Sequence, residues 1–365
     1  MKTTRIIFVG GFLGAGKTSL LWEAAQHLMG KGLNVGLITN DQAPELVDTV
    51  LLSQNGLKVA EVSGSCFCCN FNGLTDAVQK VRSETSADII IAEPVGSCTD
   101  LSATIMQPLK KLWNSELQTA PLSVLADPVR LRPILDGDTA GLHPDAAYIF
   151  RKQLEESDII LIGKSDTLTD AEMETLIERT RAEYPSSAVM PVSAVTGDGV
   201  DKWLGEVMKS SEAGMHIVAV DYDTYANGEA VLGWLNGTIL LSGESIDFDD
   251  LLRNFMVNLG NRFDSAGNGV GHVKAILENG DKYIVGNITG KVDTFSLRGT
   301  AGTGCEAKLT INARVETTPE MLDEIVRDEI KKITEGCCDF KAIAWRFLQP
   351  GRPDPTYRFS EVVFN

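Results

Sequence analysis

Two motifs near the start of the chain contain residues whose types and spacing can do chemistry. The first is a glycine-rich loop that runs Gly11, Phe12, Leu13, Gly14, Ala15, Gly16, Lys17, Thr18 and Ser19. Backbone N–H groups of such a loop wrap nucleotide phosphates, Lys17 reaches the β and γ oxygens, and Thr18 holds Mg²⁺. The second is a thiol cluster, Cys66-Phe67-Cys68-Cys69, whose sulfurs can bind one soft metal ion. Together the motifs predict a metal site that responds to a nucleotide.

Two acidic residues are candidates for the magnesium shell. Glu93 ends the apolar run Ile89–Ala92, and Gly96 completes an E-x-x-G pattern. Asp41, in the segment Asn40-Asp41-Gln42, follows the apolar run Val35–Thr39, where a switch would meet the metal and the γ-phosphate. An ordinary strand that ends in a surface glutamate is the alternative for Glu93. The predicted catalytic residues are Lys17, Asp41 and Glu93, and the predicted magnesium residues are Thr18, Asp41 and Glu93.

A base-binding site is predicted from two later segments. Gly163-Lys164-Ser165-Asp166 follows the apolar run Ile159–Ile162, where GTPases carry N-K-x-D. Asp166 could accept the guanine N–H donors, while the Lys164 stem packs on the base. Gly163 replaces the asparagine, so one neutral hydrogen bond to the base is lost, which lowers the binding free energy by about 0.5–1.5 kcal/mol. The charge-assisted hydrogen bond of Asp166 contributes roughly 1.5–3 kcal/mol and is kept. We therefore expect GTP to be preferred over ATP, but weakly. Ser193-Ala194 would complete the pocket, or would belong to a plain glycine-rich turn.

The thiol cluster is predicted to bind a metal through Cys66, Cys68 and Cys69. Zn²⁺ takes thiolates tetrahedrally, and Co²⁺ or Ni²⁺ can use the same ligands. Three protein ligands leave a fourth position open, which suits transfer better than a closed structural site. The alternatives are buried small side chains or redox thiols. Cys98 could complete or relay the site in one nucleotide state, or could have only a packing role. The other thiols and the histidines are expected to be structural: Cys305, Cys337, Cys338, His27, His143, His216 and His272.

Composition limits the classes of function. The chain has 365 residues with 43% hydrophobic content, which predicts two packed domains. Its net charge of −17 argues against binding to nucleic acid or to an anionic membrane. No apolar stretch is long enough to span a bilayer, and the apolar run Ile6–Val9 resembles a strand more than a signal peptide. With cysteines at metal-ligand spacing, a reducing cytoplasm is the expected location.

Alternating strand and helix patterns up to residue 212 predict a mainly parallel sheet wrapped by helices, an α/β P-loop NTPase fold. A surface helix is predicted over Thr169–Tyr184. The predicted strands are Ile6–Val9, Val35–Thr39, Ile89–Ala92, Leu122–Ala126, Ile159–Ile162 and Val189–Val192.

After a linker at Ser210–Gly214, residues 216–365 predict a smaller α+β domain. Its Asn279-Gly280 pair is a hairpin signal. The predicted elements are Val231–Leu241, Asp247–Asn261, Val273–Leu277, Tyr283–Val285, Ala307–Val315, Pro319–Glu335 and Lys341–Phe347. The aromatic, acidic segment Asp221–Trp234 is either a surface that binds a client protein or the start of a strand with its aromatic side chains packed inside.

The order of these motifs resembles the CobW-like metallochaperone GTPase family, which is related to the urease and hydrogenase nickel-insertion GTPases. The resemblance covers roughly residues 4–212 and implies a GTPase domain at 1–212 with a CobW-C-like domain at 216–365. It implies a GTP-driven switch that loads or delivers a metal or metallocofactor to a client metalloprotein or corrinoid protein. It also implies a nucleotide-dependent homodimer. The chain lacks the histidine-rich tract of many family members, so metal storage is not expected.

Two other functions fit the same motifs. One is a nucleotide-dependent activator that remodels a corrinoid enzyme or another metalloenzyme, with the thiols as docking or redox groups. The other is a small-molecule kinase, which would need an acceptor pocket in residues 216–365. That segment offers Tyr222, Tyr225 and Trp234 but no cluster of bases.

Overall fold

The computed structural model describes residues 3–41, 47 and 57–364. Gln42, the last residue of the predicted switch segment, lies outside the described residues. Within the described part of the chain, no helix is long and apolar enough to cross a membrane.

The N-terminal half forms a parallel sheet, because its β-branched runs are buried on both faces. The strand order is β3-β2-β4-β1-β6-β7-β8, with β5 beside β1, and every described pair is parallel. The strands are β1 (Thr4–Gly10), β2 (Val35–Asp41), β3 (Val59–Ser63), β4 (Ile89–Glu93), β5 (Leu117–Thr119), β6 (Ser123–Ala126), β7 (Ile159–Ile162) and β8 (Ala188–Pro191).

Helices cover both faces of this sheet. Several of them start with a side-chain cap: Asn70 accepts from the Gly73 N–H at the start of the helix Phe71–Thr85, and Thr169 forms a capping box with Glu172 at the start of the helix Asp170–Glu183. A π-helical turn at Ser102–Met106 leads into α3. The helices are α1 (Lys17–Gly30), α2 (Phe71–Thr85), α3 (Gln107–Leu112), α4 (Pro128–Leu135), α5 (Pro144–Glu155), α6 (Asp170–Glu183) and α7 (Val200–Lys209).

The structure confirms the predicted P-loop α/β fold and the positions of its predicted strands. It corrects one boundary, since β2 continues through Asn40 and Asp41, which were expected to follow the strand. All of the loops predicted to carry chemistry leave the same carboxyl edge of the sheet, which is where ligands bind in open α/β sheets.

The C-terminal half contains an antiparallel sheet in the order β12-β11-β10-β13-β9-β14, with two helices packed on it. The hairpin predicted at Asn279-Gly280 is confirmed, since Asn279 pairs with Lys282 and Gly280 has φ +59°. The strands are β9 (Gly233–Asp247), β10 (Val270–Asn279), β11 (Lys282–Ile288), β12 (Ser296–Thr300), β13 (Thr303–Val315) and β14 (Asp339–Leu348). Between them, helix α8 spans Tyr222–Ala230, α9 spans Phe248–Ala266 and α10 spans Pro319–Thr334.

Helix α8 corrects the interpretation of the aromatic segment. Asp221 caps it by accepting hydrogen bonds from the N–H groups of Asp223 and Thr224. The Tyr225 side chain is buried, and the helix packs against α5 of the N-terminal half. Residues 222–230 are therefore a helix and not a strand. The expected packing of the aromatic side chains is confirmed for Tyr225 and Trp234, each 1% exposed, and Trp234 lies in the strand that follows the helix.

Residues 354–363, which we call the C-terminal strap, run back along the N-terminal half. The Thr356 N–H donates to the Cys68 carbonyl (2.8 Å), and the Phe359 N–H donates to the Ala103 carbonyl (3.0 Å). Arg358 forms an ion pair with the buried Asp100 (2.7 Å). The strap thus places the far end of the chain on the thiol motif.

Candidate functional site

The glycine-rich loop has the backbone conformation that only glycine adopts readily. Gly11, Gly14 and Gly16 have φ values of +130°, +78° and +96°. A Cβ atom on Gly11 would lie 2.2 Å from the Leu125 carbonyl oxygen, so no larger residue fits there. The loop ends at the amino terminus of α1, where free N–H groups and the helix dipole favour phosphate.

Lys17, Thr18 and Glu93 meet at the mouth of this loop. The Lys17 ammonium donates to the Gly11 carbonyl (2.8 Å) and lies 3.8 Å from a Glu93 carboxylate oxygen. The Thr18 hydroxyl donates to the other Glu93 oxygen (3.1 Å). Hydroxyl and carboxylate oxygens are the ligands that Mg²⁺ prefers, so this donor set fits the ion and its waters.

Asp41 is held by an arginine from the other half of the molecule. Both Asp41 oxygens accept from one guanidinium nitrogen of Arg314 on β13, at 2.9 and 2.8 Å. Arg314 is 1% exposed, donates to the carbonyls of Leu235 and Ala313, and lies 4.1 Å from the centre of the Trp234 ring. The predicted switch carboxylate is therefore fixed by the C-terminal sheet.

A second arginine, Arg130 on α4, also joins the glycine-rich loop to the C-terminal sheet. It donates to the carbonyls of Leu13 (3.4 Å), Val270 (2.9 Å) and Gly271 (3.1 Å), and burial lowers its pKa to about 10. His272 is also buried beside this loop. Burial, with a smaller effect from nearby cations that include Lys17, holds the pKa of His272 well below its usual value.

The predicted base-binding residues come together at the ends of β7 and β8. The Ser193 hydroxyl donates to Asp166 (2.5 Å) and accepts from the Val195 and Thr196 N–H groups. Lys164, in a left-handed conformation, donates to Asp127 at the end of β6 (2.6 Å). Ala194 directly follows Ser193 and is half-buried. The sequence interpretation missed Asp127, although its place before Pro128 is a helix-capping signal.

The three predicted metal ligands form one compact sulfur cluster. The Cys66 sulfur lies 3.0 Å from that of Cys68 and 3.1 Å from that of Cys69, and the Cys68 and Cys69 sulfurs are 3.8 Å apart. Hydrogen bonds from Cys68, Cys69 and Cys98 hold the pKa of the Cys66 thiol well below its ordinary range. The pKa of the other three thiols is raised, chiefly by the same hydrogen bonds with Cys66. The cluster therefore favours one shared thiolate, which suits a cation.

Asn40 connects the switch strand to this cluster. Its side-chain amide nitrogen donates to the carbonyls of Val62 and Ser65, both at 2.9 Å, and its oxygen accepts from the Phe67 N–H (2.8 Å). Asn40 directly precedes Asp41 in β2, so one short strand end contacts both sites.

The E-x-x-G loop makes a second connection. A Cβ atom on Gly96 would lie 3.0 Å from the Lys17 ammonium, so this glycine packs directly on the phosphate-binding loop. Two residues later in this loop, the Cys98 side chain is buried, 1% exposed. Gln153 on α5 fixes this turn by donating to the carbonyls of Gly96 (3.0 Å) and Cys98 (2.8 Å).

The C-terminal strap lies on the outer side of the cluster. The Asp354 N–H donates to the Cys69 sulfur (3.3 Å), and the Thr356 hydroxyl donates to the Cys69 carbonyl (3.2 Å). The Tyr357 ring packs edge-on against Phe71, with centroids 5.2 Å apart. Such N–H donors stabilise a sulfur that carries negative charge.

The other thiols and histidines lie outside the sulfur cluster. Cys305 donates to the Glu244 carbonyl (3.1 Å), while Cys337 and Cys338 are 3.5 Å apart at the end of α10. His143 caps α5. His272, on β10, is buried and follows Gly271, whose carbonyl accepts from Arg130.

The fold and these two sites define a P-loop nucleotide-binding protein with a compact cluster of three thiols beside the phosphate-binding loop. Residues 5–191 match the family described as CobW/HypB/UreG, nucleotide-binding domain. That match covers more than half of the chain, and the chain belongs to this family of nucleotide-binding domains.

Curated relatives support the same assignment. The chain is 31% identical over 182 residues to the zinc chaperone YeiR of Escherichia coli, covering 48% of this chain and 51% of YeiR. It is 27% identical over 212 residues to the zinc chaperone YjiA of the same organism, covering 55% of this chain and 60% of YjiA. The chain thus spans about half the length of the curated relatives it matches. Among solved structures, HypB from Helicobacter pylori in complex with nickel matches with a TM-score of 0.41 at 15% identity, covering 57% of this chain and 87% of HypB.

Proposed function

We propose that this protein is a GTP-hydrolysing metallochaperone that carries a transition metal on Cys66, Cys68 and Cys69 and delivers it to a client metalloprotein. Zn²⁺ is the proposed cargo, because the sulfur cluster suits a tetrahedral thiolate site and two curated relatives are named zinc chaperones. A reducing cytoplasm is the proposed location, since the seven cysteines are free thiols.

In this proposal the phosphate site uses the residues that meet at the sheet edge. Lys17 and the loop N–H groups hold the phosphates, while Thr18 and Glu93 supply oxygens for Mg²⁺ and its waters. Arg130 adds positive charge beside the loop. Asp166, Lys164, Ser193 and Ala194 form the guanine pocket. Asp41 is a proposed magnesium-shell residue whose present partner is Arg314, so nucleotide and magnesium would compete with that ion pair.

One observation carries the proposal: the Asn40 side chain links the switch strand directly to the thiol loop. It holds the loop by three hydrogen bonds, to the carbonyls of Val62 and Ser65 and from the N–H of Phe67. A displacement of β2 on nucleotide binding must therefore move or release the backbone beside Cys66 and Cys68. A nucleotide-driven change in metal geometry is the basic requirement of a metal-delivering switch.

The test is metal affinity measured by chelator competition with Zn²⁺ and Co²⁺ under reducing conditions. It is run with and without Mg²⁺ and a non-hydrolysable GTP analogue, on wild type, Cys66→Ser and Cys305→Ser. We expect the nucleotide to change the affinity of wild type and of Cys305→Ser alike, because Cys305 lies outside the cluster. Cys66→Ser should bind metal weakly in every state.

Metal affinity that is weak and indifferent to nucleotide in wild type would contradict the proposal and favour the enzyme-remodelling alternative. The same samples, analysed by size-exclusion chromatography, test whether the triphosphate state forms the homodimer that the family resemblance implies. Turnover of GTP and ATP by wild type tests the proposed guanine preference.

A further inference from the structure

We propose that Arg130 is a catalytic residue of GTP hydrolysis, which supplies from within the chain an arginine that contacts the γ-phosphate. This inference rests on the proposed function and deepens it, because it names the side chain that stabilises the charge developed when the phosphate bond breaks. It adds a residue to Lys17, Asp41 and Glu93, the catalytic residues expected from the sequence.

The first argument is the place of Arg130 at the glycine-rich loop. Its guanidinium carbon lies 5.5 Å from the centre of the Phe12 ring, and it donates to the Leu13 carbonyl (3.4 Å). Lys17 donates to two other carbonyls of the same loop, those of Gly11 (2.8 Å) and Phe12 (3.4 Å). Two cations thus rest on neighbouring carbonyls of a loop that wraps phosphates. Lys17 exchanges such acceptors for phosphate oxygens when a nucleotide binds, and Arg130 is placed to make the same exchange.

The second argument is that Arg130 is a buried cation bound only to neutral groups. It is 7% exposed, and its hydrogen bonds go to the backbone carbonyls of Leu13, Val270 and Gly271. Among the residues that the structure describes, no carboxylate forms an ion pair with this guanidinium. Buried charges in proteins are normally paired, because an ion loses much free energy on leaving water. A bound phosphate would supply the missing negative charge.

The acidic side chains near Arg130 are bound to other groups. Asp127 and Glu316 are the carboxylates whose charges act on the guanidinium. Asp127 accepts from the Lys164 ammonium (2.6 Å), and Glu316 accepts from the His143 N–H (2.7 Å). Neither carboxylate forms a hydrogen bond with Arg130, so its charge remains available to a ligand.

A purely structural role explains less, as two other buried arginines show. Arg314 joins the two halves of the molecule with its charge neutralised by Asp41 (2.8 Å). Arg5 donates to the Val207 carbonyl (2.7 Å) in the last turn of α7, where the helix dipole supplies negative charge. The carbonyls that hold Arg130 belong to a loop and to the start of β10, and sheets have only small net dipoles.

The chemistry of hydrolysis requires a cation at this position. The oxygen of a water molecule forms a bond to the γ-phosphorus, and the bond from that phosphorus to the β–γ bridging oxygen breaks. The bridging oxygen keeps the electron pair, so negative charge builds up on the leaving GDP, and a water proton passes to solvent. N–H groups of Arg130 that donate to the bridging oxygen and to the γ-phosphate would stabilise that charge more than they stabilise bound GTP.

The experiment compares single-turnover hydrolysis of GTP with Mg²⁺ by wild type, Arg130→Ala and the control Arg132→Ala. Arg132 lies on the same helix, but its side chain is 40% exposed and pairs with Glu172 (3.4 Å). We expect the rate constant of Arg130→Ala to fall at least about 20-fold, the gap between GTPases with an arginine in cis and those without one. Its affinity for a non-hydrolysable GTP analogue should fall much less. Arg132→Ala should match wild type in both measurements.

A second measurement uses GDP with aluminium fluoride, which imitates the phosphoryl group in transfer. A site that contains its own arginine should bind this pair without a partner protein. We expect wild type and Arg132→Ala to bind it and Arg130→Ala to fail. The binding by wild type needs no substitution, so it tests the inference even if Arg130→Ala does not fold.

Three results would overturn the inference while leaving the proposed function intact. They are equal rate constants in wild type and folded Arg130→Ala, a fall in rate matched by an equal fall in analogue affinity, and a wild type that hydrolyses GTP but does not bind GDP with aluminium fluoride. If wild type hydrolyses no GTP, the proposed function itself fails.

Discussion

The ion pair between Arg314 and Asp41 predicts a large, specific loss of stability when it is broken. Arg314→Met keeps much of the side-chain volume but removes the charge that faces the Asp41 carboxylate and the donors to Leu235 and Ala313. Removing one partner of a buried ion pair costs about 3–5 kcal/mol, because the other charge stays buried. We therefore expect the free energy of unfolding to fall by about that amount at neutral pH.

The chain offers a matched control for this substitution. Arg327 on α10 also pairs with a carboxylate, that of Asp323 (2.7 Å), and lies 4.5 Å from the centre of the Trp345 ring. Its side chain is 41% exposed, whereas that of Arg314 is 1% exposed. Exposed pairs contribute at most about 1 kcal/mol, so Arg327→Met should be nearly neutral.

The assay is urea unfolding of nucleotide-free protein, followed by circular dichroism, with the change in midpoint converted through the m value. Asp41→Asn and the Asp41→Asn/Arg314→Met double variant complete a double-mutant cycle. The double variant should be more stable than the sum of the single effects implies, by about 1.5 kcal/mol or more. The reasoning is refuted if Arg314→Met is no more destabilising than Arg327→Met, or if the cycle shows no coupling.

Three further predictions follow from other contacts. Asn40→Ala should leave Zn²⁺ affinity in the nucleotide-free state within about tenfold of wild type but reduce its response to a GTP analogue, as chelator competition would show; an unchanged response contradicts the proposed link. Burial raises the pKa of Glu156 to about 8 from 4.5, so its ionisation destabilises the fold progressively as pH rises between these values. At pH 9 the free energy of unfolding of Glu156→Gln, measured in urea, should therefore exceed that of wild type by up to about 5 kcal/mol, and at pH 4 it should not exceed it. Urea unfolding curves of the two proteins that coincide at both pH values would exclude this effect. Gly163→Asn should raise the preference for GTP over ATP by about 2–10-fold in competition binding, and an unchanged ratio would argue against guanine recognition here.

Residues that the structure brings together within one short segment could be predicted from the sequence. The glycine-rich loop and the thiol motif each bring their functional groups together locally, so spacing alone predicts them. The strands of the parallel sheet are β-branched runs buried on both faces, and their ends at Asp41 and Glu93 fall on one edge. Once the strand order is known, the predicted residues are expected to lie together, because each follows the carboxyl end of a parallel strand.

The missed features depend on contacts between distant segments. Arg314 is one arginine in an antiparallel strand, and nothing near it in the sequence marks it as the partner of Asp41. The contact of Arg130 with the glycine-rich loop has the same origin. Helix α8 did carry a local signal, since Asp221 is a good N-cap, but its aromatic residues suggested a strand. The C-terminal strap has no periodic pattern, so only tertiary contacts place it.

Because Asn40 contacts the thiol loop from the switch strand, an effect of the nucleotide on the metal site implies an equal effect of the metal on the nucleotide site. If nucleotide binding changes metal affinity by some factor, thermodynamic linkage requires that metal binding change nucleotide affinity by the same factor. Loading of the sulfur cluster would then set how long GTP stays bound. The protein would report the supply of metal through its nucleotide occupancy, which a client could sense before any metal is transferred.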